Sequence, residues 1–297
     1  MSGAARLAYS LSMTTIDSFD LDDFVRRVLA EDLGAGGDVT SVATIASDAQ
    51  FAASINCREP IVVAGLEVAA AFFRALDPDV RIGPLVSDGD RATAGTVLMR
   101  LDGNARAMLA AERSALNTLQ HLSGIATLTR RYVDAIHGAG AILLDTRKTI
   151  PGLRSLDKYA ARMGGAHNHR LRLDDGVLIK DNHVSVCGGV AAAVRAAKAA
   201  ELGLPVQVEV DRLDQIEPAL AAGADRLLLD NMEVATLKQA VERVAGRVPL
   251  EASGGVNLDT IRGIAEAGVD FISVGRITQS APAVDIGLDY ELRRRSE

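Results

Sequence analysis

Between Leu143 and His183, a chain of 297 residues and formal net charge −7 gathers its densest run of cationic side chains. From Asp145 to His183 there are eight Lys or Arg, five Asp and three of the chain's five His. Arg and Lys at this density bind carboxylates and phosphates through charge-assisted hydrogen bonds, which points to a small polyanionic substrate. The alternative is a solvated helix face with incidental ion pairs. Arg154, Lys158 and Arg162, spaced by four, suit that alternative. Arg147, Lys148, Arg170 and Lys180 do not, because they stand at the ends of apolar runs.

Further along, two glycine-bearing turns, Ala252 to Val256 (A-S-G-G-V) and Ser273 to Arg276 (S-V-G-R), offer main-chain N–H groups that a phosphate can approach closely. Glu209 and Asp230 end two apolar runs, V-Q-V-E-V-D and L-L-L-D-N-M. Such carboxylates in a cationic cup can hold Mg²⁺ jointly with substrate phosphates, face a positively charged sugar carbon, or neutralise neighbouring Arg and Lys. Arg113 follows Leu109 by four and precedes Leu116 by three, which puts it on their helical face. A guanidinium there needs an anion, either a ligand or an acid of its own chain. Lys148 or Lys180 at a strand end can also form a Schiff base with a carbonyl substrate.

The elements that position these residues repeat from Ile142 onward as strand then helix. Expected strands are 142–145, 169–173, 177–180, 206–210, 226–229, 250–252 and 271–274, with helices over 190–201, 213–222, 234–244 and 258–267. The alternation implies a parallel sheet wound in one sense, with the candidate residues at the C-terminal strand ends where such folds carry their sites. Residues 126–287 span 162 positions, whereas a complete eight-stranded barrel takes about 250. The fold class is therefore α/β, an incomplete barrel of six to seven strands. Before it, a helix capped by Ser18 or Asp20 and ended by Gly34 precedes a polar, Gly-rich stretch from Glu31 to Ser41. Short strands then follow over 52–58, 61–64, 80–83 and 97–101, with a helix over 66–76. Asp88 to Gly103 resembles a lipoyl- or biotinyl-carrier hairpin but has no lysine at its tip, and is read as two turns flanking a strand.

Composition bounds the partners. An acidic balance argues against nucleic acid and against an anionic membrane, and no apolar run reaches a membrane span. Cys57 and Cys187 have no metal-ligand or redox spacing and are expected to be packed thiols of a reducing compartment. Residues 1–16 lack signal-peptide features and read as a loose tail, with Met13 as an alternative start. A soluble cytoplasmic protein is expected.

Taken in order, A-E-R-S-A-L-N-T-L-Q-H-L-S-G-I-A-T, D-T-R-K-T-I-P-G-L-R-S-L-D-K-Y-A, G-G-A-H-N-H-R-L-R-L-D-D, L-I-K-D-N-H, V-E-V-D, L-L-L-D-N-M and E-A-S-G-G-V-N resemble the quinolinate phosphoribosyltransferase family from about Asp22 to Gly287. The resemblance implies transfer of phosphoribose from phosphoribosyl pyrophosphate to quinolinate with decarboxylation, giving nicotinate mononucleotide, pyrophosphate and CO₂ in de novo NAD synthesis. It implies an N-terminal α/β sandwich domain (17–125), a barrel domain (126–287) and a C-terminal tail (288–297) packing on the first. A homodimer or higher homo-oligomer is implied, with Arg113 reaching the neighbouring subunit's site. Thr146, Arg147, Lys148, His169, Arg170 and Lys180 would surround the substrates. Glu209 and Asp230 would act on the ribose and Mg²⁺ side, with Lys148 and Lys180 beside them as catalytic residues. Ser253, Gly254, Gly255, Val274, Gly275 and Arg276 would hold the 5′-phosphate. Arg276 stands where many members carry a small residue. The runners-up are a paralogue acting on another pyridine or azine acid, a Schiff-base barrel lyase and a phosphosugar-binding protein. Arg113 and Arg147 together favour a dicarboxylate, because a monocarboxylate would leave one cation unpaired.

Overall fold

The computed structural model describes residues 19–291. The expected N-terminal tail, Met13, the alternative cap Ser18 and the last six residues of the C-terminal tail lie outside them. Along the first part run α1 (Leu21–Leu33), α2 (Val39–Thr44), β1 (Gln50–Cys57), β2 (Ile61–Val62) and α3 (Leu66–Leu76). There follow β3 (Arg81–Pro84), β4 (Arg91–Ala92), β5 (Val97–Asn104) and the long α4 (Ala105–Ala135). Next come β6 (Ile142–Leu144), α5 (Arg154–Met163), β7 (Val177–Ile179), α6 (Asp181–Val186) and α7 (Val190–Ala199). The chain closes with β8 (Val206–Val210), α8 (Ile216–Ala221), β9 (Arg226–Asp230), α9 (Val234–Val244), β10 (Leu250–Ser253), α10 (Ile261–Glu266), β11 (Phe271–Ser273), α11 (Arg276–Gln279) and β12 (Ile286–Glu291).

Two compact units emerge. Among the described residues, one holds 19–128, 155–164 and 280–291; the other holds 129–154 and 165–279. The first is built on an antiparallel sheet in the order β12-β1-β5-β3. Ala53, Ile55 and Cys57 of β1 are buried, as are Phe72 and Phe73 of α3. Asp20, whose carboxylate accepts from the Asp23 N–H, caps α1, and Gly34 ends it at φ 53°. Phe24 of α1 meets Phe72 edge-on at 5.9 Å between ring centroids. The Gly-rich stretch hides the short α2, started by Asp38 accepting from the Ser41 N–H.

Within the same unit the N-terminal part of α4 buries Met108, Ala111, Ala115, Leu119 and Leu122, a stripe at helical spacing. Gly124 lies where that helix meets the returning chain: a Cβ there would come within 2.2 Å of the Pro282 carbonyl oxygen. Gly124→Ala is expected to cost about 2 kcal/mol by overpacking and to lower the melting temperature by roughly 4–8 °C. A thermal scan checks it, and an unchanged midpoint would mean that the helix and the 282–283 segment do not pack this way.

The second unit carries a parallel sheet of six strands in the order β6-β11-β10-β9-β8-β7. Parallel pairing needs crossovers, and α7 to α10 supply the later ones. The strand expected over 169–173 does not form. Its neighbour His167 makes an isolated parallel bridge to Leu144, a rudimentary seventh strand beside β6. Beyond it the backbone donors go to carboxylates instead: His169 N to Asp145 at 2.8 Å and Leu171 N to Asp175 at 2.6 Å. The helix expected over 213–222 begins as a 3₁₀ turn at Leu213–Gln215 before α8.

Two expectations fail on burial. Lys158 is 0% exposed and sits in a wholly buried run from Leu156 to Ala161, so α5 is not a solvated cationic face. Spacing by four fixes which side chains share a face, not whether that face is covered. Asp157, equally buried, is held by His121 Nε2 at 2.8 Å. Cys57 is packed as expected, its thiol 3.0 Å from the Thr93 carbonyl, but Cys187 is exposed at the end of α6. Among the described residues no helix is long and apolar enough to cross a membrane.

Candidate active site

At the C-terminal ends of the parallel strands lies a cleft of roughly 740 Å³. It is lined by Thr146, Arg147 and Lys148 after β6, by His169 and Arg170, and by Lys180 after β7. Glu209 and Asp230 reach it from β8 and β9, with Ser253–Gly255 after β10 and Val274–Arg276 after β11. Fourteen of the fifteen residues named as candidates from sequence thus converge in one cavity, with five cationic side chains among them.

Local structure explains the convergence. The segment after β6 and the segment after β11 are neighbours because those strands pair. Lys148 N donates to Thr146 Oγ1 at 3.0 Å, and Thr278 Oγ1 donates to the Lys148 carbonyl at 2.8 Å, which ties the two loops together. Gly275 allows this approach: a Cβ there would lie 2.6 Å from Lys148 Cδ. On the other side, Gly254 (φ +87°) packs on Asn231, whose own φ of 54° is one that asparagine tolerates better than most residues. Asn231 Nδ2 donates to Asp230 Oδ2 at 2.6 Å, so the glycine turn and the strand-end acid hold each other in place.

Charge is unevenly settled. Lys180 Nζ lies 3.0 Å from Glu209 Oε2, a pair in which the lysine is about half exposed. Neither Lys180 nor the exposed Lys148 has the desolvated setting that makes a lysine a Schiff-base nucleophile. Arg147 Nε is buried without a hydrogen-bond partner among the described residues. Arg170 donates to the Gly176 carbonyl at 2.8 Å, and burial, then the nearby Arg147 charge, pull its guanidinium below the usual value. Cations held in this way are poised for anions brought by a ligand.

Sequence reasoning missed Glu251, which also lines the cleft and is wholly buried on β10. Its signal lay in alternation: Leu250 and Ala252 point one way, so Glu251 points the other, to the side of the sheet from which Glu209 and Gln207 project. Arg113 is not among the lining residues. It is exposed on α4, with Leu109 half-buried and Leu116 buried, so it stands at the margin of the apolar face rather than within it. The acid of its own chain that could have paired with it is not found among the described residues.

No group of three or more His, Cys, Asp or Glu side chains forms a metal cage among the described residues. Glu209 and Asp230 are two separate carboxylates, and that donor set suits an ion that takes most of its ligands from water and substrate phosphates, as Mg²⁺ does.

Comparison with known proteins fits this cleft. Residues 125–289 match the quinolinate phosphoribosyl transferase C-terminal domain, and residues 38–123 match the N-terminal domain of the same family. A nicotinate-nucleotide pyrophosphorylase (carboxylating) of Mycobacterium leprae is 45% identical over 272 residues, covering 90% of this chain and 96% of its own. A chloroplastic protein of that name from Oryza sativa is 42% identical over 293 residues, covering 92% of this chain and 78% of its own. The solved nicotinate-nucleotide pyrophosphorylase of Francisella tularensis superposes with a TM-score of 0.88 at 42% identity, over 94% of this chain and 99% of that one. Both domain matches and this depth of identity have one meaning: the chain belongs to the quinolinate phosphoribosyltransferase family.

Proposed function

We propose that the protein transfers phosphoribose from phosphoribosyl pyrophosphate to quinolinate, with decarboxylation, giving nicotinate mononucleotide, pyrophosphate and CO₂ in de novo NAD synthesis. The observation that carries this reading is the cleft itself, where five cations face two strand-end acids and two glycine turns. Quinolinate brings two carboxylates and the donor brings a pyrophosphate and a phosphate, so a surplus of Arg and Lys is required. Arg147, His169 and Arg170 surround the acceptor acid. Lys148 and Lys180 meet the donor's phosphates, and Ser253 to Gly255 with Val274 to Arg276 cradle the 5′-phosphate. The exposed Arg276 adds a cation to that cradle.

In the reaction the ring nitrogen bonds to the ribose carbon as the bond to pyrophosphate breaks. Positive charge grows on that carbon, and Glu209 and Asp230 offset it. Glu209 and Asp230 would also hold Mg²⁺, which supplies charge neutralisation at the departing pyrophosphate. After transfer the ring nitrogen is cationic, so the electron pair left by CO₂ at the adjacent carbon is stabilised by the substrate itself and is then protonated. No protein base is needed for that step.

Arg113 would complete the site of the neighbouring subunit in a homodimer or larger assembly; its exposure and its lack of a partner among the described residues support this. The acidic balance and the two unpaired cysteines support a soluble, cytoplasmic setting.

The test mixes purified protein with quinolinate, phosphoribosyl pyrophosphate and Mg²⁺ and follows nicotinate mononucleotide and CO₂. Product should require all three, vanish with EDTA and return with excess Mg²⁺. Quinolinate that binds without product would move the reading to another pyridine acid, and no binding at all would sink the dicarboxylate assignment.

A further inference from the structure

We infer that Glu251 is a positioning residue for the acceptor end of the cleft, acting through the His169 ring on the main chain of Arg170. The inference rests on the proposed reading in which Arg170 holds a carboxylate of the acceptor acid.

Glu251 is 0% exposed. Gln207 Nε2 donates to Oε2 at 2.8 Å, and His169 Nε2 lies 3.4 Å from the same oxygen, an ion-pair contact rather than a hydrogen bond. The other oxygen, Oε1, is buried without a hydrogen-bond partner among the described residues. Burial alone would push this carboxyl up, yet the neighbouring His169, Gln207 and Ser273 side chains together hold it below the usual glutamate range. A carboxylate kept ionised in this way beneath a binding cleft costs stability that an apolar side chain would not.

The geometry beyond it shows what the charge does. His169 Nδ1 accepts the Arg170 backbone N–H at 2.8 Å, which leaves the ring proton on Nε2, facing Glu251. In the other tautomer Nδ1–H would confront the Arg170 N–H, donor against donor, while the bare Nε2 would face a carboxylate. Glu251 therefore selects the tautomer, as a carboxylate behind a histidine does in metal and protease sites. His169 N is anchored separately to Asp145 at 2.8 Å. Nδ1 is engaged by the main chain and Nε2 is buried beside Glu251, so the ring, besides lining the acceptor end, sets where Arg170 leaves the main chain.

Glu251→Met, which removes the acceptor at similar volume, should raise KM for quinolinate about tenfold or more, while KM for phosphoribosyl pyrophosphate and kcat stay within about threefold. Glu251→Gln, which keeps a carbonyl acceptor toward Nε2, should return most of that loss. An unchanged quinolinate KM in Glu251→Met, or an equal fall of every kinetic constant in both variants, overturns the inference. Should Glu251→Met not fold, the ring-nitrogen resonances of His169 in the wild-type protein decide: an acceptor Nδ1 and a protonated Nε2 are expected, and a protonated Nδ1 overturns it. That spectrum is recorded without substrates, so failure of the wild-type enzyme to make product would strike the reaction assignment alone.

Discussion

Arg147→Ala is expected to lower kcat/KM for quinolinate by about 100- to 1,000-fold. The guanidinium lines the cleft with its Nε already buried and unpartnered among the described residues, so the protein has met much of the desolvation cost before a ligand arrives. Truncating one side of a buried, hydrogen-bonded charge pair costs about 2–5 kcal/mol, and each ~1.4 kcal/mol is tenfold. The loss should fall chiefly on quinolinate, since the donor's phosphates are assigned to Lys148, Lys180 and the glycine turns. Steady-state kinetics with each substrate varied in turn checks this, and a loss confined to the donor would reassign the residue. The same variant tests whether sites are shared. Mixed in equal amounts with an inactive Arg113→Ala protein and allowed to reassort, it should recover roughly one quarter of wild-type activity, because half of random dimers are mixed and each has one intact site. Sites complete within one chain would show no recovery, as every site would carry a lesion.

Gly254→Ala should lower kcat/KM for phosphoribosyl pyrophosphate about 100-fold. Two effects combine at this position. Its φ of +87° is one that L side chains rarely adopt, and a Cβ would lie 2.2 Å from Asn231 Oδ1 and 2.9 Å from Asn231 N. Relief requires Asn231 to move, and Asn231 is bonded to Asp230. The substitution therefore displaces the phosphate turn and a strand-end acid together, and misplacement near 1 Å costs on the order of 100-fold. Gly255→Ala is the comparison: φ is also positive, +62°, but nothing lies within 4 Å of its Cβ. A milder loss there would separate the clash from the backbone conformation, while equal losses would assign the whole effect to φ.

Much of this was legible without coordinates where the local pattern and the tertiary setting agree. The run V-Q-V-E-V forms β8 over the residues expected, and Leu66–Leu76 and Val234–Val244 form helices with the expected ends. Their apolar periodicity is unbroken, Gly65 opens the first helix and Ala245 ends the second in the left-handed region, so no distant contact had to overrule them. The failures share a cause. The alternation H-R-L-R-L from His169 looks like a strand, but Asp145 and Asp175 capture the backbone donors that a ladder would use. Lys158 looks solvated because a one-dimensional spacing does not say what covers a face. Glu251 went unmarked because a single acid within an apolar run gives no hint that a glutamine and a histidine from elsewhere in the sequence will meet it. The cluster of strand-end residues, by contrast, was visible from the repeat alone, since a parallel sheet gathers whatever stands at its C-terminal edge.

The pairing of β12 with β1 bears on how the molecule is made. β1 begins at Gln50, and its partner strand, Ile286–Glu291, is synthesised more than two hundred residues later. On the ribosome the first sheet must wait, with the edge of β1 unpaired, while the whole parallel-stranded unit is translated. An open edge of this kind is a site of mispairing with other chains, and contacts so distant in sequence form slowly. β1 is thus completed only long after it emerges, and its edge stays open until the 286–291 segment is released.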